Sequence, residues 1–102
     1  MPKVTFHEEA DSEMREAALY YEERAPGLGL AFLDEVEKTV QCILAHPVAY
    51  RRVAAEIRQA LVTRFPYGIL YVTEPGEHIR IVTVAHLKRR PGYWWKRLFA
   101  ET

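Results

Sequence analysis

Apolar residues fall every third or fourth position along the first half of the chain and crowd into short, strand-length runs along the second. Over residues 7–24, Ala10, Met14, Ala17 and Tyr21 form one stripe of the kind a helix buries. Glu8, Glu9, Asp11 and Glu13 fill the first turns, where the helix dipole favours acids. Thr5 and Glu8 have the spacing of a capping box, with Asp11 and Ser12 as alternative starts. Ala25-Pro-Gly27 stops this helix. A second helix is predicted from Leu28 to Ala45. Phe32 or Leu33, Val36, Val40 and Ile43/Leu44 face inward, Asp34, Glu35, Glu37, Lys38 and Gln41 face water, and Pro47 ends it. Two stripes joined by a short Pro-Gly turn predict an antiparallel helical hairpin.

The remaining pattern is β-rich. Lys3-Val-Thr-Phe6 reads as a short edge strand, and residues 57–64, 67–73 and 79–86 read as three longer ones. Phe65-Pro66 separates the first two of these, and a turn over residues 74–78 separates the last two. Close spacing favours an antiparallel meander. In the last run, alternation puts Ile79, Ile81, Thr83 and Ala85 on one face and Arg80, Val82, Val84 and His86 on the other. Both faces are partly apolar, so both are expected to be covered. Arg58 and Arg64, six apart, are expected to share a face. The order β-α-α-β-β-β predicts an α+β domain, a helical hairpin packed on a small antiparallel-meander sheet, with residues 1–102 forming one domain.

Composition adds an asymmetry. Net charge is zero, with 14 acids against 14 Lys/Arg. Residues 1–50 hold ten acids and four Lys/Arg, giving −6, and residues 51–102 hold four acids and ten Lys/Arg, giving +6. Such a split predicts one basic binding surface. Lys88, Arg89, Arg90, Lys96 and Arg97 fall together with no acid among them, beside the aromatic run Tyr93-Trp-Trp95. That run is expected to pack partly against the sheet edge. Tyr20-Tyr21 is read as a helix–sheet contact. The single cysteine, Cys42, forms no internal disulfide and is expected to be a small core residue. His7, His46, His78 and His86 are scattered without metal-ligand spacing, so no metal and no cofactor is expected. No apolar run follows Lys3 as in a signal peptide, and none reaches the roughly 18 residues of a membrane span, so a cytoplasmic protein is expected. No helix-turn-helix pattern carries the basic residues, which argues against a DNA-binding module.

The ordered set of local signatures resembles the RelE/ParE toxins of type II toxin–antitoxin pairs, and more closely their ParE-like branch. It runs from Ala10-Asp-Ser-Glu-Met-Arg-Glu-Ala-Ala-Leu-Tyr-Tyr21 through Phe32-Leu33, His46-Pro47, Ile57-Arg58, Arg64-Phe-Pro-Tyr67 and Ile69-Leu-Tyr71 to Val84-Ala-His86 and Arg89-Arg-Pro-Gly-Tyr-Trp94. The resemblance implies a plasmid-stabilisation type of toxin, neutralised by a cognate antitoxin encoded beside it. For the ParE-like branch it implies DNA gyrase as target, by protein contact and without catalysis. The alternative is the RelE-like branch, metal-independent endoribonucleases that cut messenger RNA on the ribosome.

RNA cleavage would need proton donors and acceptors, cations for phosphate and stacking surfaces for bases. His86, Tyr93 and Lys88 are the proton-transfer candidates, Arg58, Arg64 and Arg89 the phosphate binders, and Tyr93, Trp94 and Trp95 the stackers. Against this, Gly68 stands where the resemblance implies a phosphate-binding arginine in a nuclease. The chain also lacks the strongly basic character that helps a protein approach ribosomal RNA, with only four lysines. Without catalysis, Arg58, Arg64, His86, Arg89, Arg90, Tyr93, Trp94 and Arg97 are the candidates for contact with target or antitoxin.

Overall fold

The computed structural model describes residues 3–90 and 92–98. Five strands make one sheet in the order β1-β5-β4-β3-β2, with two helices on one face. They are β1 (Val4–Phe6), α1 (Glu8–Arg24), α2 (Leu28–Ala45), β2 (Arg51–Ala54), β3 (Ile57–Leu61), β4 (Tyr67–Glu74) and β5 (His78–His86), followed by a 3-10 turn over Trp95–Leu98. The α+β hairpin-on-sheet architecture is the expected one, and α2 has the predicted bounds. The 99–102 end of the aromatic-basic tail, and Pro91 within it, lie outside the described residues.

Strand β1 passes into α1 without a loop. It runs parallel to β5, from Val4 against Ile79 to Phe6 against Ile81, and the His7 N–H extends this ladder to the Ile81 carbonyl at 2.9 Å. His7 itself caps the helix: its Nδ1 accepts from the Glu9 N–H at 3.1 Å. This replaces the expected Thr5/Glu8 box and the Asp11 or Ser12 start. Thr5 lies in the strand, so its side chain is not at the helix entrance. At the start of α2, Gly27 has φ +86°, a left-handed conformation that glycine adopts at no steric cost. Glu22 of α1 accepts from the Gly27 and Gly29 N–H groups, both at 2.9 Å, so one helix caps the other.

Ala10, Ala17 and Ala18 are the buried residues of α1, and their small size lets the helix lie close to the sheet. Phe32, Val36, Val40 and Ile43 carry the buried stripe of α2. Cys42 is exposed, not a core residue: the inward spacing runs Val36, Val40, Ile43, and Cys42 falls just off it. Tyr21, Phe32, Phe65 and Tyr67 interlock with ring centroids 4.9–6.1 Å apart, mostly edge to face, joining hairpin to sheet. Tyr21 thus makes the expected helix–sheet contact, whereas Tyr20 is half exposed under the Arg24 guanidinium.

Three strand expectations change. First, β2 is an additional strand. Arg51-Arg-Val-Ala54 is short, charged and without alternation, so no pattern announces it. Second, the alternation of β5 breaks. Leu70 pairs with Thr83 while Tyr71 pairs with Ile81, leaving Val82 as an extra, bulged residue. After the bulge the faces exchange: Val84 joins Ile79 and Ile81 in the helix-side core, while Val82 packs on the opposite face. Third, Arg58 and Arg64 do not share a face. Strand β3 ends at Leu61, and Arg64 sits in the following turn with φ +75°.

The helix-free face has its own cover. Trp94 is buried there against Ile57, Leu70 and Val82, with Ala54, Val72, Tyr93 and Leu98 around it. The C-terminal segment therefore closes part of the face that the hairpin leaves open.

Candidate functional site

The predicted basic residues converge where β5 ends. A cleft of about 200 Å³ opens on the helix-free face. Gln59 and Leu70 line its floor, Leu87, Arg89 and Arg90 its rim, and Tyr93 and Trp94 its far wall, with His86 at the strand end. A second cleft, lined by Glu13, Glu16, Tyr20 and Tyr67, adjoins it on the α1 side and shares His86 and Arg89. The bulge in β5 explains why His86 serves both: it turns the end of the strand out of the alternation that begins at Ile79.

Behind the cleft lies a network that sequence reasoning did not single out. The Glu13 carboxylate accepts from the Thr83 hydroxyl at 2.8 Å, the Val84 N–H at 3.1 Å, the Tyr93 hydroxyl at 2.8 Å and both Arg97 amino groups at 3.0 Å. The Thr83 and Tyr93 hydroxyls also touch each other. Arg97 donates in addition to the Val82 carbonyl at 3.0 Å. Burial pushes the Glu13 pKa up, but the hydrogen bonds from Arg97, Tyr93, Thr83 and Val84 outweigh it and hold the carboxyl below 4.5. Burial and the bonds to the Glu13 carboxylate push the Tyr93 phenol up from 10 against the opposing bond from Thr83, so it gives up its proton less readily than a free tyrosine.

The candidates therefore divide. Arg97 is 7 % exposed and holds Glu13, and Trp94, also 7 % exposed, is part of the core. Arg89 stacks on the Tyr93 ring at 3.8 Å and reaches Glu13 at 3.5 Å, yet its side chain is half exposed. Arg90 has no hydrogen bond or ion pair among the described residues and faces the cleft. The His86 Nδ1 accepts from the Lys88 N–H at 3.1 Å, and its ring packs edge-on against Tyr67 with centroids 5.4 Å apart. Arg58 and Arg64 do not line the cleft. Arg58 donates to the Tyr50 carbonyl at 2.6 Å, and Arg64 lies 3.8 Å from Glu35 of α2. Gly68 lies on β4 beside the cleft: a Cβ there would point at the ends of the Gln59 and Leu87 side chains, both cleft residues. Among the described residues no cluster of His, Cys, Asp or Glu could hold a metal ion.

Residues 4–91 match the model of the ParE toxin of the type II toxin–antitoxin system parDE. The chain belongs to the ParE toxin family. The fold agrees: a structure described as the chromosomal ParDE toxin–antitoxin system from P. aeruginosa superposes with a TM-score of 0.72 at 17 % identity. That alignment covers 84 % of this chain and 96 % of the other. No curated protein sequence matches. Within the ParE family match fall β1 to β5, His86, Arg89 and Arg90, whereas Tyr93, Trp94 and Arg97 lie past its end. The wall that closes the cleft thus comes from the segment beyond the family match. No helix among the described residues is long and apolar enough to cross a membrane.

Proposed function

We propose that this ParE-family chain is a toxin held inactive by a cognate antitoxin, and that it acts on DNA gyrase by protein contact and not by cutting RNA. The observation that carries this reading is the state of the cleft. His86, Arg89 and Arg90 are gathered there, but the other cations that phosphate chemistry would use, Arg58 and Arg64, are directed elsewhere. Gly68 supplies no cation beside it, and the Tyr93 hydroxyl is tied to Glu13. A site for general acid–base cleavage needs its groups aimed at one reacting atom; here most are aimed at the protein's own backbone and carboxylates. The same reading places the protein in the cytoplasm, with plasmid stabilisation as its setting, and requires no cofactor.

Purified protein added to a gyrase supercoiling reaction, and separately to a translating ribosome extract, tests it. The expected result is loss of supercoiling with intact message. Message cleavage with normal supercoiling would favour the RelE-like alternative and make His86 the first residue to replace.

A further inference from the structure

We infer that the cleft on the helix-free face takes an acidic segment of a partner protein that also carries aliphatic side chains. Three observations point to that chemistry. The lining contains no Asp or Glu, although the adjoining cleft across His86 holds Glu13 and Glu16. One cation on the rim, Arg90, has no protein counter-ion among the described residues, and His86 lines the same cleft. Apart from the uncharged Gln59 and Thr83 and the aromatic wall, the rest of the lining is aliphatic: Leu87 is 48 % exposed and Val53 37 %, and Leu70 and Ala85 lie beneath. Such a surface pairs with carboxylates at its rim and with leucine-like side chains over its floor.

The aromatic residues decide between peptide and nucleic acid. Single-stranded nucleic acid binds where aromatic faces are offered for stacking. Here one face of the Tyr93 ring is covered by the Arg89 guanidinium at 3.8 Å, and Trp94 is buried in the core. The cleft thus offers cations and aliphatic carbons, with its two aromatic walls already occupied. The free edge of β2 is a weaker docking point, because that strand is short, bulged between Arg52 and Ala54 and charged, the features that blunt a sheet edge.

Only the identity of the partner rests on the toxin reading, under which it is the antitoxin. The chemistry of the cleft stands apart from it. The test therefore uses probes of defined composition: a short labelled peptide alternating leucine and glutamate, and a labelled oligouridylate, each titrated with the intact protein by fluorescence anisotropy at low and moderate salt. The peptide is expected to bind, and to bind less tightly as salt rises. Arg90→Glu is expected to weaken it by about tenfold or more, the scale of one lost rim contact turned repulsive. Leu87→Asn is expected to weaken it severalfold, whereas Lys38→Glu on α2, with the same charge change, leaves it unaltered. Circular dichroism checks that each variant is folded. No peptide binding at low salt, equal binding by the Arg90→Glu variant, or displacement of the peptide by oligouridylate would each overturn the inference. A protein that binds the peptide but leaves supercoiling untouched loses the gyrase reading alone.

Discussion

Glu13 and Arg97 stand 84 positions apart in the chain and meet where the outer edge of β5 runs out of partner strand. Strand β1 pairs with β5 as far as Ile81, and the His7 N–H takes the Ile81 carbonyl. Beyond that point the Val82 carbonyl accepts from Arg97 and the Val84 N–H donates to Glu13. A carboxylate–guanidinium pair thus does for two residues what another strand would have done, and anchors the C-terminal segment across the helix-free face. A buried backbone group left unpaired costs about 1–3 kcal/mol, so the pair stabilises the sheet edge as well as the segment.

Replacing one partner should be far worse than replacing both. The side chains are only 8 % (Arg97) and 13 % (Glu13) exposed. Glu13→Ala leaves the buried guanidinium with only the exposed Glu9 carboxylate, 3.4 Å away, as counter-charge, a loss of about 3 kcal/mol. The double variant Glu13→Leu with Arg97→Met should lose less than Glu13→Ala, because no buried charge remains. Urea unfolding of wild type, single and double variants checks the order; a double variant as unstable as the sum of its parts would contradict it.

The same carboxylate sets an acid limit. Its pKa in the folded chain lies below the 4.5 of a free carboxyl. A depressed folded value contributes stability that is present above 4.5 and is lost as pH falls from there through the folded value. Unfolding midpoints measured in urea should therefore drop on acidification below 4.5, and Glu13→Gln should drop less steeply while starting lower. Parallel pH profiles of the two proteins would refute this.

Much of the layered fold was legible, because the helices obey their period, the long strands stand out as apolar runs between turn residues, and α2 carries Pro47 past its end. The bulge at Val82 was not. An extra residue leaves the composition of β5 untouched and changes only which face follows it, and it is the pairing with β4 that reveals it. Strand β2 was hidden for another reason: an exposed edge strand needs no apolar alternation. In the site, His86, Arg89 and Arg90 were found as a basic group, but Glu13 was read only as one of several dipole-favoured acids. A signal was available. Glu13 is three residues after Ala10 and four before Ala17, so it lies on the buried stripe, where an acid requires a buried partner. That the partner is Arg97 depends on the C-terminal segment folding back, which no local pattern specifies.

The two glycines without positive φ should behave oppositely on gaining a methyl group. A Cβ at Gly29 would lie 2.5 Å from the Ala18 carbonyl oxygen, a backbone atom of the facing helix. Gly29→Ala must therefore push α1 and α2 apart, at about 1–3 kcal/mol, the usual scale of overpacking. At Gly68 the nearest atoms are the Gln59 amide at 3.0 Å and a Leu87 methyl at 3.2 Å, both at the ends of side chains that can turn away. Gly68→Ala should change stability by less than about 1 kcal/mol. Thermal unfolding of the two variants side by side is enough; equal losses would mean that helix contact is not the constraint at Gly29.

Tyr71 should give the protein an alkaline limit to match its acid one. The residue is fully buried, and its hydroxyl donates to the Pro47 carbonyl at 2.6 Å, tying β4 to the segment after α2. Burial pushes its pKa up to about 12, against the opposing pull of nearby Arg58 and with a smaller push from Tyr50. The folded value is raised above the ordinary 10, so the folded state favours the neutral phenol. The contribution is fully present below 10 and is lost as pH rises from there towards 12, a loss of about 2–3 kcal/mol for a two-unit shift. Tyr71→Phe cannot ionise. It should lose about 1–2 kcal/mol at neutral pH, since the Pro47 carbonyl is left without its donor, yet fall more slowly than wild type across the alkaline range. Tyr21, Tyr50, Tyr67 and Tyr93 are also raised, and all remain in the variant. The difference between the two alkaline unfolding curves therefore reads Tyr71 alone, and curves that keep a constant separation above pH 10 would show that its hydroxyl is not the group the fold keeps neutral.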